Sequence, residues 1–76
     1  MKLTKEEFLD RLGENIRLLR QDRKMTQAEL AYSIGKNQQS VQRVEKGDFN
    51  PSAHYLYELS AGLEVPIEKL FEGIES

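Results

Sequence analysis

The chain has 76 residues, a formal net charge of −2 and no cysteine. A chain this short forms one domain with a small core, which a partner subunit would help to stabilise. The missing cysteine excludes disulfides, thiol catalysis and Cys-based zinc sites and fits a reducing cytoplasm, while no apolar run is long enough to span a bilayer and no signal-peptide pattern opens the chain.

The pattern predicts five helical segments and no strand. The first runs from about Lys5 to Arg23, with Phe8, Leu12, Ile16 and Leu19 recurring at the period of one buried face. Gly13 lies inside it at some cost in propensity. Arg17, Arg20 and Arg23 cluster at its C-terminal end, where cations suit the helix dipole. Thr26 is an N-cap, and Glu29 completes a capping box for a second helix over about Gln27–Ile34. Leu30, Ala31 and Ile34 face inward there, and Gly35 ends the helix in a left-handed conformation. Asn37 caps a third helix over Gln38–Lys46, with Val41 and Val44 inward and Gly47 as its terminator.

Gly47-Asp48-Phe49-Asn50-Pro51 is a loop rich in turn formers. Ser52 caps a fourth helix over about Ala53–Ala61, which buries Leu56 and Leu59 and is stopped by Gly62. Pro66 suits the first turn of a fifth helix over about Pro66–Gly73, offering Ile67, Leu70 and Phe71. The domain is expected over residues 5–74, with residues 1–4 and 75–76 as frayed ends.

Charge is unevenly spread. Residues 11–46 carry eight basic groups against four acidic ones, whereas residues 47–76 carry Lys69 against six acidic groups. A local field at a docking face matters more for nucleic-acid binding than the net charge does. The third helix opens with Asn37, Gln38 and Gln39. Amides at the exposed start of a short helix suit hydrogen bonding to base edges in a DNA major groove. The acidic residues of the last third read as a solvated face turned away from phosphate.

The remaining chemistry is sparse. His54 is the only histidine and reads as a surface helix residue. Tyr32, Tyr55 and Tyr57 read as helix-packing residues. No paired carboxylates, Ser/His/Asp set or phosphate-cradling glycine loop is present, so no enzyme, cofactor or metal site is expected.

The ordered series Ile16-Arg17-Leu18-Leu19-Arg20, Thr26-Gln27-Ala28-Glu29-Leu30-Ala31, Gly35, Asn37-Gln38-Gln39-Ser40-Val41, Val44-Glu45-Lys46-Gly47, Asn50-Pro51-Ser52 and the spaced Leu56, Leu59 and Leu63 resembles the Cro and phage-repressor type of helix-turn-helix domain, the XRE family. The resemblance covers about Gly13 to Phe71 and departs at Lys36, where relatives commonly carry an apolar residue. It implies a compact all-α, five-helix lambda-repressor-like fold, with the helix-turn-helix unit at about residues 27–46.

The resemblance also implies roles. Gln38, Gln39 and Arg43 match base-reading positions, and a glutamine amide pairs bidentately with adenine. Gln27, Lys36, Asn37, Ser40, Gln42, Lys46 and Asn50 match positions near phosphate and sugar, with Phe49 in the same loop either near the backbone or plugging the core. Arg20 and Glu45 match an intramolecular salt bridge that orients the third helix. Ile67, Leu70, Phe71 and Ile74 offer a dimer seam or cap the monomer core. The expected function is a sequence-specific double-stranded DNA-binding transcriptional regulator, a repressor acting as a homodimer on an inverted-repeat operator. The alternative is an antitoxin-like protein that binds a protein partner through its acidic half and represses its own promoter.

Overall fold

A computed structural model describes residues 2–74. Helix α1 spans Lys5–Asp22, α2 Gln27–Ser33, α3 Gln38–Lys46 and α4 Ala53–Leu63, and a 3-10 segment follows at Ile67–Phe71. Among the described residues the fold is all-α, with α3 packed against both α1 and α2.

Each helix starts where a side chain can accept from an otherwise orphaned backbone N–H. Thr4 and Glu7 form a capping box on α1, and Thr26 and Glu29 form one on α2. Thr4 falls in the segment expected to fray, yet it is the cap from which α1 is built; residues 1, 75 and 76 lie outside the described part. Asn37 Oδ1 accepts from the Ser40 backbone N–H at 2.8 Å and starts α3. Ser52 Oγ accepts from the Tyr55 backbone N–H at 3.0 Å and starts α4.

The core is a single cluster. Leu12 and Ile16 of α1, Leu30 and Ala31 of α2, Val41 and Val44 of α3, Tyr55, Leu59 and Leu63 of α4 and Leu70 of the 3-10 segment are all buried. Full burial of a Leu or Val side chain contributes roughly 1.5–3 kcal/mol, so these few residues supply most of the drive to fold. Phe8 and Phe71 stack at 6.4 Å between ring centroids, which ties the 3-10 segment to the start of α1. Asn15 Nδ2 donates to the backbone carbonyls of Leu70 and Glu72, both at 2.9 Å, and holds that segment from the other side.

Two glycines in helices are there for proximity. A Cβ on Gly13 would lie 2.5 Å from the carbonyl oxygens of both Val44 and Glu45, so α1 and α3 cross here in backbone contact. A Cβ on Gly62 would lie 2.7 Å from Ile34 Cγ2 and 2.9 Å from Ser33 Oγ. Gly62 therefore does not stop α4, as the pattern suggested. It lies inside the helix, which continues to Leu63 and ends at Glu64 with φ of +58°.

The fifth segment also differs from expectation. It is one short 3-10 stretch over Ile67–Phe71, without the length of an α-helix from Pro66 to Gly73. Leu70 within it is wholly enclosed by the monomer and has no surface to give to a dimer seam. Phe71 and Ile74 are half-buried against the same core, and Ile67 is the exposed member of the group.

Candidate nucleic-acid interface

The α2–α3 unit is built by one turn. Ile34 closes α2, Gly35 takes φ of +71°, and the Lys36 backbone N–H returns to the Ala31 carbonyl at 2.9 Å. That closure satisfies carbonyls at the end of α2 and sends the chain directly into the Asn37 cap. The consequence is a nine-residue helix held across α2.

The two sides of α3 differ sharply. Val41, Val44 and Glu45 are buried, while Gln38, Gln39, Gln42, Arg43 and Lys46 are exposed. The exposed set falls at i, i+1, i+4, i+5 and i+8, which is one continuous face of a helix. With its side chains an α-helix is about 10–12 Å across, a size that a major groove roughly 12 Å wide admits. Asn37 and Asn50 are exposed at the two loops that flank it.

Electrostatics follow from the same division. The one acidic residue of α3 is Glu45, and its side chain is 2% exposed. Arg20 Nε donates to Glu45 Oε2 at 2.7 Å, and Arg20 Nη2 donates to Glu45 Oε1 at 3.0 Å. The third donor of the fork, Nη1, reaches the Met25 carbonyl at 2.8 Å. Gln27 Nε2 adds a further bond to Glu45 Oε1 at 3.0 Å. The carboxylate is thus neutralised by a two-pronged guanidinium contact and further hydrogen-bonded by an amide. The outer face of α3 is left with amides, Arg43 and Lys46, and neither cation has a carboxylate within ion-pair distance among the described residues.

Several cations that contributed to the basic middle of the chain are paired elsewhere. Arg17 is bridged to Glu14, whose carboxyl is held below the usual carboxylate range mainly by that hydrogen bond. Arg23 pairs with Glu64 at 2.9 Å. Lys36 Nζ lies 3.2 Å from Glu58 Oε1 and 5.0 Å from the centre of the Tyr55 ring, so its head group is turned towards α4. The unusual residue after Gly35 therefore acts as a tie between the turn and α4.

Other positions are similarly engaged. The Ser40 hydroxyl is 2.6 Å from the Tyr55 hydroxyl, so this half-buried side chain is engaged by α4. Gln27 is half-buried, and the bond to Glu45 uses one N–H of its amide and leaves the second. Phe49 is half-buried against Tyr55, with ring centroids 6.0 Å apart, and plugs the loop. Arg43 also lies over the Phe49 ring, with its guanidinium carbon 5.4 Å from the centroid.

The tyrosines divide. Tyr55 is a packing residue, but Tyr32 is 87% exposed and Tyr57 is also exposed, so neither packs a helix interface. Periodicity shows the reason for Tyr32: it lies opposite the Leu30 and Ala31 face of a seven-residue helix that buries one side only. His54 is exposed, with Nδ1 3.7 Å from Glu58 Oε1.

Comparison with known proteins agrees with this geometry. A helix-turn-helix family model (HTH_3) matches residues 16–70. A relative from Archaeoglobus fulgidus, described as an uncharacterized HTH-type transcriptional regulator, is 38% identical over 47 residues, which make up 62% of this chain and 67% of that protein. The restriction-modification controller protein C.AhdI from Aeromonas hydrophila superposes with a TM-score of 0.82 at 30% identity, over 83% of this chain and 96% of that one. The controller protein C.Esp1396I, whose structure holds a tetramer on its natural 35 base-pair operator, superposes with a TM-score of 0.78 at 28% identity, over 86% of each chain.

Proposed function

The chain belongs to the helix-turn-helix family of DNA-binding transcriptional regulators, and we propose that it is a repressor that reads the major groove of its operator with α3. The observation that carries this reading is the outer face of α3, where amides and two free cations stand together while the helix's one carboxylate is turned inward and neutralised.

In this reading Gln38 and Gln39 meet base edges, each amide presenting a donor and an acceptor to adenine. Arg43 reaches a guanine edge or a phosphate from a guanidinium set on the Phe49 ring. Lys46, Gln42, Asn37 and Asn50 contact phosphate or sugar around them, and the second N–H of the Gln27 amide does the same at the start of α2. Lys36 and Ser40 do not take part, because Glu58 and Tyr55 hold them. Phosphate contacts set register and base contacts set sequence.

One reader helix covers only a few base pairs, so useful specificity calls for two copies on an inverted repeat, with half-sites about 34–36 Å apart. The operator-bound tetramer of C.Esp1396I supports assembly on DNA as the mode of action. Ile67, Phe71 and Ile74 are the members of the apolar C-terminal group with surface available for a seam.

Selection of bound duplexes from a random pool tests the reading. Enrichment of a motif with two-fold symmetry is expected, and its occupancy should block transcription from a promoter that contains it. A pool that shows no enrichment after repeated rounds would end it.

A further inference from the structure

The reader helix is held at its C-terminal half by Arg20 and Gln27 through Glu45, and its first turn is held by something else. The hydroxyl of Ser40, at the third position of α3, lies 2.6 Å from the hydroxyl of Tyr55, at the third position of α4. It is the one hydrogen bond joining α3 to α4 among the described residues. The Ser40 backbone N–H is at the same time taken by Asn37, and the Tyr55 backbone N–H by Ser52. The starts of the two helices are therefore stapled to one another through residues whose own backbones are capped.

Tyr55 reaches the other end of the reading face as well. Its ring, 6% exposed as a residue, packs on Phe49, and Phe49 lies under the Arg43 guanidinium. The Tyr55 ring also lies under the Lys36 ammonium, which pairs in turn with Glu58. One side chain thus touches the turn before α3, the first turn of α3 and the loop after it. Gln38 and Gln39 immediately precede Ser40, and their direction depends on the roll of that turn about the helix axis. A cation over an aromatic face and an oriented hydroxyl are both directional contacts.

We propose that Tyr55 is the positioning residue of the reader helix: its hydroxyl sets the roll of the first turn through Ser40, and its ring sets Arg43 through Phe49. Tyr55 touches no DNA in this scheme and acts on base choice through its neighbours. The proposal rests on α3 being the reader.

The test uses Tyr55→Phe, which removes only the hydroxyl, with Ser40→Ala and the double variant, on the full chain. Affinity is measured on the duplex selected by the wild-type protein, on single-base variants of it and on random duplex. Loss of one net hydrogen bond predicts a drop of about three- to ten-fold on the selected duplex. Affinity for random duplex should stay within about two-fold, and the penalty for a wrong base opposite Gln38 or Gln39 should shrink. The double variant should fall no further than either single one, and Ser40→Thr, which keeps the hydroxyl, should restore discrimination. Equal loss on selected and random DNA, or additive losses in the double variant, would overturn the proposal. So would an unchanged discrimination profile in Tyr55→Phe while the wild-type protein discriminates. A wild-type protein that prefers no duplex at all would instead remove the reading of α3 on which the proposal stands. Ser40→Ala, at a half-buried surface position, carries the measurement if Tyr55→Phe does not fold.

Discussion

Replacing Arg20 with Met removes the guanidinium and keeps most of the stem. The structure makes the cost large. Glu45 is left with a side chain that is 2% exposed and with one remaining donor, Gln27 Nε2 at 3.0 Å. Two guanidinium bonds at 2.7 and 3.0 Å disappear, along with the bond to the Met25 carbonyl that holds the turn before α2. Removing one partner of a buried ion pair costs about 3–5 kcal/mol, because the other charge stays desolvated. A domain of 76 residues has roughly 4–11 kcal/mol of total stability. At about 4–8 °C per kcal/mol for a domain of this size, the melting temperature should fall by about 12–40 °C. Thermal unfolding followed by circular dichroism at pH 7 reads the change. A double variant, Arg20→Met with Glu45→Met, should recover much of it, since no lone charge remains. DNA affinity of Arg20→Met, measured well below its melting temperature, should still fall, because α3 has lost its brace. A melting temperature lowered by less than about 5 °C, or a double variant as unstable as the sum of the two single ones, would refute the reasoning that Glu45 is neutralised chiefly by Arg20.

Other expectations follow from the same geometry. Gly13→Ala should destabilise by about 2 kcal/mol or more, because overpacking of the α1–α3 crossing outweighs the gain of about 1 kcal/mol in helix propensity; a urea titration in which Gly13→Ala is the more stable protein would contradict the close crossing. Gln38→Ala or Gln39→Ala should lose about 1–3 kcal/mol on the selected duplex and relax base preference there, and an equal loss on random DNA would reassign that glutamine to phosphate. Lys46→Ala should weaken binding to every sequence and reduce the slope of log affinity against log salt by about one; an unchanged slope would place Lys46 off the interface.

Much of this molecule is readable without coordinates. Capping residues mark the starts of α2 and α4 by their types alone, and Asn37 with Gly47 brackets α3 at both ends, whereas the Thr4 cap of α1 lay in a segment expected to fray. Gly35 could be placed in the turn because a left-handed backbone favours that residue. The exposed face of α3 was likewise visible, since Val41 and Val44 set the inward direction and the polar residues must take the other side. The C-terminal region was harder. An apolar pattern of Ile67, Leu70 and Phe71 fits a helix of either pitch, and the Asn15 amide that holds the Leu70 and Glu72 carbonyls comes from a distant element that no local pattern reveals. Gly62 reads as a stop in sequence and is a contact point in space, because α2 passes against it.

Local chemistry, then, determined most helix boundaries, the turn and the residue types on the outer face of α3, since caps, glycine conformations and a 3.6-residue period act over a few neighbouring positions. Tertiary packing decided which polar groups stay unengaged by other side chains among the described residues. Ser40 and Lys36 are taken by Tyr55 and Glu58, residues 15 and 22 positions further along the chain, and Gln27 leans on Glu45. Such pairings depend on where α4 and α1 lie against α3, and no spacing within a single segment encodes that.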